Sequence, residues 1–328
     1  MTSSRHATLI LTKSGPLRLY STTELLTLQP PQWLVHGILP VGGFIGVYGD
    51  SYTGKSYLAI DLAMCIASGH PWHGHTVVPG FVVYIVAEGG HGVRKRAQAW
   101  CTLHGISSYK PDMGWLLQSI PIHPASEEMD ILCSRLSDEL ESRPVLIVID
   151  TLARCFAGGD ENQQEDMGQF VAGVDRLRTA YGAAVIAVHH TRVANDRERG
   201  STAFRGAADT MILVDKPRPE HLWIKCTKQK DFDEFEPIEL AFHKVEGAIP
   251  ELNSATLVTV GERTLTTTKH MILASLAHES RTFTELRSHG NSEIPKSSLA
   301  RGLAGLLKTR QIVKENGAYT LPYRQKEP

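Results

Sequence analysis

The octapeptide Gly49-Asp50-Ser51-Tyr52-Thr53-Gly54-Lys55-Ser56 constrains this chain more than any other feature, because it fits G-x-x-x-x-G-K-[ST] at every fixed position. Before it lies a short apolar run, Gly43-Phe44-Ile45-Gly46-Val47-Tyr48, which reads as a buried strand. After it Leu58, Leu62, Ala63 and Ile66 recur at helical spacing and stop at Gly69. Strand, glycine-rich turn and helix in that order make a phosphate cradle. The glycines let the loop wrap with its N–H groups inward, Lys55 brings a point charge to the β- and γ-phosphates, and the Ser56 hydroxyl is a ligand for magnesium. The helix adds its positive end. All eight residues are therefore expected to bind a nucleotide, ATP with Mg2+.

Such a loop presupposes an α/β domain, and the rest of the chain supplies one. Phe81–Val86, Val145–Ile149 and Ala183–Val188 are apolar throughout, as strands must be when helices cover both faces of a sheet. Met167, Phe170, Val171, Val174 and Leu177 mark a helix between the last two. Thr210–Val214, Leu222–Cys226 and Ile238–Phe242 follow with little helix between them and predict an antiparallel extension at one edge of a mainly parallel sheet. Residues 1–30 read as an N-terminal arm and 31–260 as the nucleotide domain.

Residues 265–328 differ in charge and in pattern. Ten Lys or Arg against five Asp or Glu leave this stretch at +5 and the remainder at −6, although the whole chain is nearly neutral. That balance excludes a uniformly basic nucleic-acid coat and an acidic disordered chain. Ile272, Leu273 and Leu276 suggest a short helix, Thr282-Phe283-Thr284-Glu285 a capping box opening a second, and Leu299, Leu303, Leu306 and Leu307 the apolar face of a third starting near Ser297. Ile312–Lys314 and Ala318–Leu321 flank Asn316-Gly317, a strong hairpin signal. Three helices and a hairpin form a winged-helix pattern. The five cysteines (Cys65, Cys101, Cys133, Cys155, Cys226) make no C-x-x-C pair, the start lacks the apolar core of a secretory signal, and no run reaches the ~18 apolar residues of a membrane span. A cytoplasmic protein with no membrane partner is expected.

Asp150 ends the Val145–Ile149 strand, where a carboxylate reaches the magnesium ion beside Ser56. The catalytic carboxylate of many NTPases follows that aspartate directly, but here Thr151 and Leu152 do. The candidate is instead Glu88, just past Phe81–Val86, where it would orient or deprotonate the attacking water.

Gly49–Ser56, Glu88 and Asp150 in this order, with His189-His190 ending the next strand, resemble the RecA-like ATPase core. The chain most resembles the RepA-like hexameric replicative helicases of plasmids and phages, of the DnaB class, over roughly Trp33 to Val245. The resemblance implies that His189 or His190 senses the γ-phosphate and relays its loss to DNA-binding loops. It implies that Arg205, in Ser201-Thr202-Ala203-Phe204-Arg205-Gly206, is an arginine finger on the neighbouring subunit's nucleotide, and that Lys228 or Lys230 is a second trans-acting cation. Such fingers require a homo-oligomer, a hexameric ring in this family. The polar loop with Arg192, Arg197 and Arg199 would face the channel and grip single-stranded DNA by its backbone, with Arg154 in a second channel loop.

In the tail, Ser298, Arg301, Gly302, Gly305 and Lys308 are expected to turn away from the leucine face, with Arg301 and Lys308 contacting duplex DNA or the whole module docking a replication protein. The leading reading is a ring-forming DNA-dependent ATPase, a replicative helicase of a phage, plasmid or integrated element. Two alternatives stand beside it: an ATP-switched DNA-binding initiator or regulator, and a RecA-type recombination mediator.

Overall fold

A computed structural model describes residues 19–106, 111–138, 142–156, 159–161, 163–190, 193–194, 197–198, 202–247, 249–260, 268, 272, 275–276, 280–287, 294–308, 312–315 and 317–320. The chain divides into two compact units, residues 1–257 and 258–328.

In the first unit a short helix, α1 (Thr22–Leu26), opens with a capping box between Ser21 and Glu24 and buries none of its residues. Strands β1 (Trp33–Val35) and β2 (Leu39–Pro40) pair antiparallel. The core then alternates β3 (Phe44–Gly49), α2 (Lys55–Ser68), β4 (Val82–Val86), α3 (Gly90–His104), β5 (Met113–Leu116), α4 (Glu127–Asp138), β6 (Leu146–Asp150), α5 (Gln164–Tyr181) and β7 (Ala184–His190). A two-residue pair, β8 (Val193–Ala194) and β9 (Arg197–Glu198), and a short helix α6 (Thr202–Ala207) lead to β10 (Thr210–Arg218), β11 (His221–Gln229), β12 (Ile238–Val245) and β13 (Ser254–Thr259).

One nine-stranded sheet runs in the order β13-β12-β11-β10-β3-β7-β6-β4-β5. From β10 to β5 all neighbours pair in parallel. β11 pairs antiparallel with both β10 and β12. The sheet is buried on both faces because its strands alternate between two cores. Val47, Tyr84, Val86, Val148 and Val188 pack with α2 and α3 on one side. Phe44, Ile85, Ile149, Val185 and Ala187 pack with α4, α5 and α6 on the other.

Helix α2 shows why the fold tolerates an apolar sequence there. Nearly its whole circumference is buried, so no polar face is needed. Its acid Asp61 is buried too, and accepts hydrogen bonds from Trp72 Nε1 (2.9 Å) and Trp100 Nε1 (2.9 Å), with His73 Nε2 at 2.8 Å. Those bonds tie α2 to α3 and to the turn that follows α2.

Several elements depart from the sequence expectation. β5, α3 and α4 are not among the elements expected, although Val93, Ala97, Trp100 and Cys101 in α3 and Met129, Leu132 and Leu136 in α4 stand at helical spacing; β5 is too short for its pattern to announce it. Thr210–Val214, expected in the antiparallel extension, pairs in parallel with β3 on one side and antiparallel with β11 on the other.

In the second unit a helix Phe283–Arg287 is opened by the expected capping box. Thr282 N and Oγ1 donate to Glu285 Oε2 at 2.7 and 2.8 Å, and Glu285 N donates back to Thr282 Oγ1 at 3.4 Å. A longer helix, Lys296–Lys308, and a three-stranded sheet ordered Arg281–Thr282, Ala318–Thr320, Val313–Glu315 complete it. Their core gathers Ile272, Leu276, Leu286, Leu299, Leu303, Leu306 and Tyr319. The helix expected around Leu273 lies largely outside the described residues.

One reading of this unit is corrected. Ser298 and Gly302 do not turn away from the leucines; both are buried, and a Cβ on Gly302 would lie 3.0 Å from Ile272 Cδ1. Each sits one residue before a core leucine, so the wide apolar arc of a globular helix takes them in. Gly305 is half-buried and Arg301 exposed, while the Lys308 side chain lies outside the described residues.

Candidate nucleotide site

The carboxyl ends of β3, β4, β6 and β7 lie along one edge of the sheet, with Gly49 opposite His190 and Val86 opposite Asp150. The loop from Gly49 to Lys55 wraps there. Gly49 (φ 147°) and Gly54 (φ 104°) adopt backbone conformations that side chains rarely reach. A Cβ would also stand 2.2 Å from Val214 O at Gly49, and 2.6 Å from Leu222 Cδ1 at Gly54. Both fixed glycines of the motif are thus demanded twice over, by dihedral and by space.

Lys55 follows at the first position of α2, only 2% exposed, and donates to the carbonyls of Gly49 (2.9 Å) and Asp50 (2.6 Å). Burial pulls its pKa down to about 8, against the opposing attraction of Asp150 and Asp50. Next to it the Ser56 hydroxyl donates to Asp150 Oδ1 at 3.2 Å, while Tyr84 OH donates to Oδ2 at 2.8 Å. Burial raises the Asp150 pKa, and the hydrogen bonds from Tyr84 and Ser56 and the charges of Arg96 and His190 work against that rise. The hydroxyl and carboxylate oxygens form the hard-oxygen donor set that suits magnesium.

These groups floor a cleft of about 750 Å³. Ser51, Tyr52 and Gly54 of the loop, Glu88 and Gly89 after β4, Thr151 after β6, and His190 also line it. Glu88 is exposed, and Arg154 Nε stands 4.0 Å from its carboxylate. The two histidines, left open by the sequence, separate cleanly because consecutive strand residues point to opposite faces. His190 is in the cleft, its pKa lowered by burial and by Lys55 against the pull of Glu88 and Asp150. His189 is buried beneath the sheet against the Phe204 ring (5.5 Å), with Glu161 Oε2 3.9 Å from its Nδ1. Burial and the neighbouring cations lower its pKa to about 4.

The remaining sequence candidates lie outside this cleft. Arg205, on α6, donates to Thr227 O at 2.6 Å and Thr227 Oγ1 at 3.4 Å. Lys228 Nζ donates to the carbonyls of Arg205, Gly206 and Ala208, which caps the carboxyl end of α6. Lys230 is exposed, 3.7 Å from Asp209. Arg192, Arg199 and the side chain of Arg197 lie outside the described residues.

The sequence reading did not single out Tyr84, Tyr57, Arg96, Lys216 or Phe242. Tyr84 was findable: period two along β4 sets it on the face of the phosphate loop, two residues before the strand end. Arg96 gave no signal, being one of three consecutive basic residues on a polar helix.

The sequence model of the AAA domain family matches residues 21–196, more than half of the chain. The chain belongs to the AAA domain family. It is a P-loop ATPase domain of that family, whose nucleotide loop and Asp150 strand are separated in the sheet by β7 alone. Among solved structures, the ATPase domain of G40P is similar at 12% identity with a TM-score of 0.48, over 66% of this chain and 84% of that one. The RadB recombinase is similar at 15% identity and a TM-score of 0.45, over 62% and 88%. No curated protein sequence matches. Among the described residues no helix is long and apolar enough to cross a membrane.

Proposed function

We propose that this ATPase is a magnesium-dependent, ring-forming DNA motor, a replicative DNA helicase of a phage, plasmid or integrated element. The observation that carries the ATPase half is the convergence of Lys55, Ser56, Glu88, Asp150 and His190 in one cleft at the sheet edge. Gly49–Ser56 hold the phosphates through backbone N–H groups, with Lys55 supplying charge. Ser56 and Asp150 hold Mg2+, which when bound neutralises phosphate charge. Glu88, at the open lip, orients the attacking water and takes its proton. His190 faces the phosphates and passes their state along β7.

The DNA half rests on the motif resemblance and on the chain order, since the arginine-bearing loop with Arg192, Arg197 and Arg199 begins directly after His190. Arg154, beside Glu88, joins the cleft lip to the second loop. Arg205, with Lys228 or Lys230, supplies the trans-acting cations; Arg205 and Lys228 are both engaged within this chain, on Thr227 and on the end of α6, and Lys230 is the exposed one of the two lysines. Residues 31–260 act as the motor, and 265–328, read as a winged helix, contact duplex DNA or a replication protein through Arg301 and Lys308.

Steady-state ATP hydrolysis with and without single-stranded DNA tests this reading. Stimulation by DNA that E88Q abolishes, with turnover down about 10²–10⁴-fold and ATP binding retained, is expected. Slow turnover that DNA leaves unchanged would favour the ATP-switched initiator instead.

A further inference from the structure

Most polar groups on the cleft floor are satisfied within the chain: Lys55 by loop carbonyls, Asp150 by Ser56 and Tyr84. The Thr151 hydroxyl and Arg96 are the exceptions among the described residues, and only Arg96 carries a charge. Its Nε is buried and has no hydrogen-bond partner, and among the described residues its guanidinium forms no ion pair. The side chain leaves α3 on the cleft side and rests over the Tyr57 ring, with Cζ 4.6 Å from the centroid. It also leans back toward the start of the helix, where a Cβ on Gly92 would meet Nη2 at 3.4 Å. That end of α3 is the end joined to Glu88 and Gly89.

Arg96 is half-buried, and leaving its buried Nε without an acceptor costs free energy, so a guanidinium resting on an aromatic ring inside a cleft suits an anion from outside. Asp150 is near enough to feel the positive charge, yet its two oxygens already accept from Ser56 and Tyr84. The cleft offers room for a polyphosphate and a second cation, Lys55, to hold it. We propose that Arg96 is a phosphate-contacting residue supplied by the same subunit, its guanidinium donating to the phosphate chain of the bound nucleotide. Tyr57 pre-orders the side chain, which a planar guanidinium exploits better than an ammonium would. The consequence is that Lys55 and Arg96 both hold the phosphates from within the chain, in a cleft that Lys216 also lines, before any neighbouring subunit adds a cation.

This rests on reading the cleft as the nucleotide site, and calorimetric titration with magnesium ATP and, separately, with magnesium tripolyphosphate separates the two claims. For R96M, which keeps an unbranched stem on Tyr57, both ligands are expected to bind about 10–100-fold more weakly and by the same factor, the worth of a charged hydrogen bond. R96K recovers part of that loss for both ligands, which a purely packing role would not produce, and it carries the test should R96M fold poorly. Weakened ATP binding with tripolyphosphate unchanged would move the contact to the base or ribose and overturn the inference. So would wild-type affinity for both ligands in R96M and R96K. If the wild-type chain binds neither ligand, or K55A binds them as well as wild type does, the nucleotide-site reading falls and this inference with it.

Discussion

Lys55 is predicted to destabilise the ligand-free fold it serves. The residue is 2% exposed and its pKa is lowered to about 8, where an unfolded lysine titrates at 10.5. Keeping that charge buried at neutral pH therefore costs about 3 kcal/mol. Lys55→Met removes the charge and keeps the packing, but the carbonyls of Gly49 and Asp50 lose a donor, at about 0.5–1 kcal/mol each. The balance is a gain of about 1–2 kcal/mol, and a melting temperature higher by about 2–4 °C per kcal/mol for a unit of this size. The sign with pH follows from the two titrations. Between about pH 8 and 10.5 the folded lysine has shed its proton while the unfolded one keeps it, so the wild-type protein gains stability as pH rises and the variant's advantage shrinks. Denaturant melts of both proteins without nucleotide, at pH 7 and pH 10, measure this, and added ATP should protect only the wild type. A variant less stable than wild type at pH 7, or a stability gap equal at both pH values, would refute the reasoning.

Three further outcomes are expected. Asp61→Ala strips the acceptor from Trp72 and Trp100 and the partner from His73, and should cost about 3–5 kcal/mol in urea melts; a loss under about 1 kcal/mol would show that the network is not what ties α2 to α3. His190→Ala should lower kcat with little change in stability, whereas His189→Ala, under the sheet, should lower stability first; matched defects in both variants would deny the division of the pair. Tyr84→Phe removes a hydrogen bond that holds the Asp150 pKa down, so the acid limb of the ATPase pH profile should move to higher pH, because that carboxylate binds metal only when ionised. An unmoved acid limb would mean that Asp150 does not limit activity at low pH.

How much of the site was legible follows from how each residue does its work. Gly49, Gly54, Lys55 and Ser56 act through the backbone path of one loop, so their spacing alone announces them. Asp150, Glu88 and the histidine pair stand just at or after apolar strands, and the strand ends point to them. Arg96 and Phe242 reach the cleft from elements whose local pattern says nothing about direction, and only the packing of α3 and β12 brings them there. Ser298 and Gly302 show the opposite error: small residues look solvent-facing in a sequence, yet a helix docked on other helices buries them because they are small.

The sequence by itself determined the chemistry and the class of fold. A phosphate loop between a strand and a helix has few alternatives, and runs of apolar residues of strand length require cover on both faces. Tertiary structure decided which histidine faces the cleft, which lysine caps α6, and where the half-buried guanidinium of Arg96 lies. Those outcomes depend on pairing register and on distances between residues far apart in sequence, such as Tyr84 and Asp150, for which local propensity and spacing carry no information.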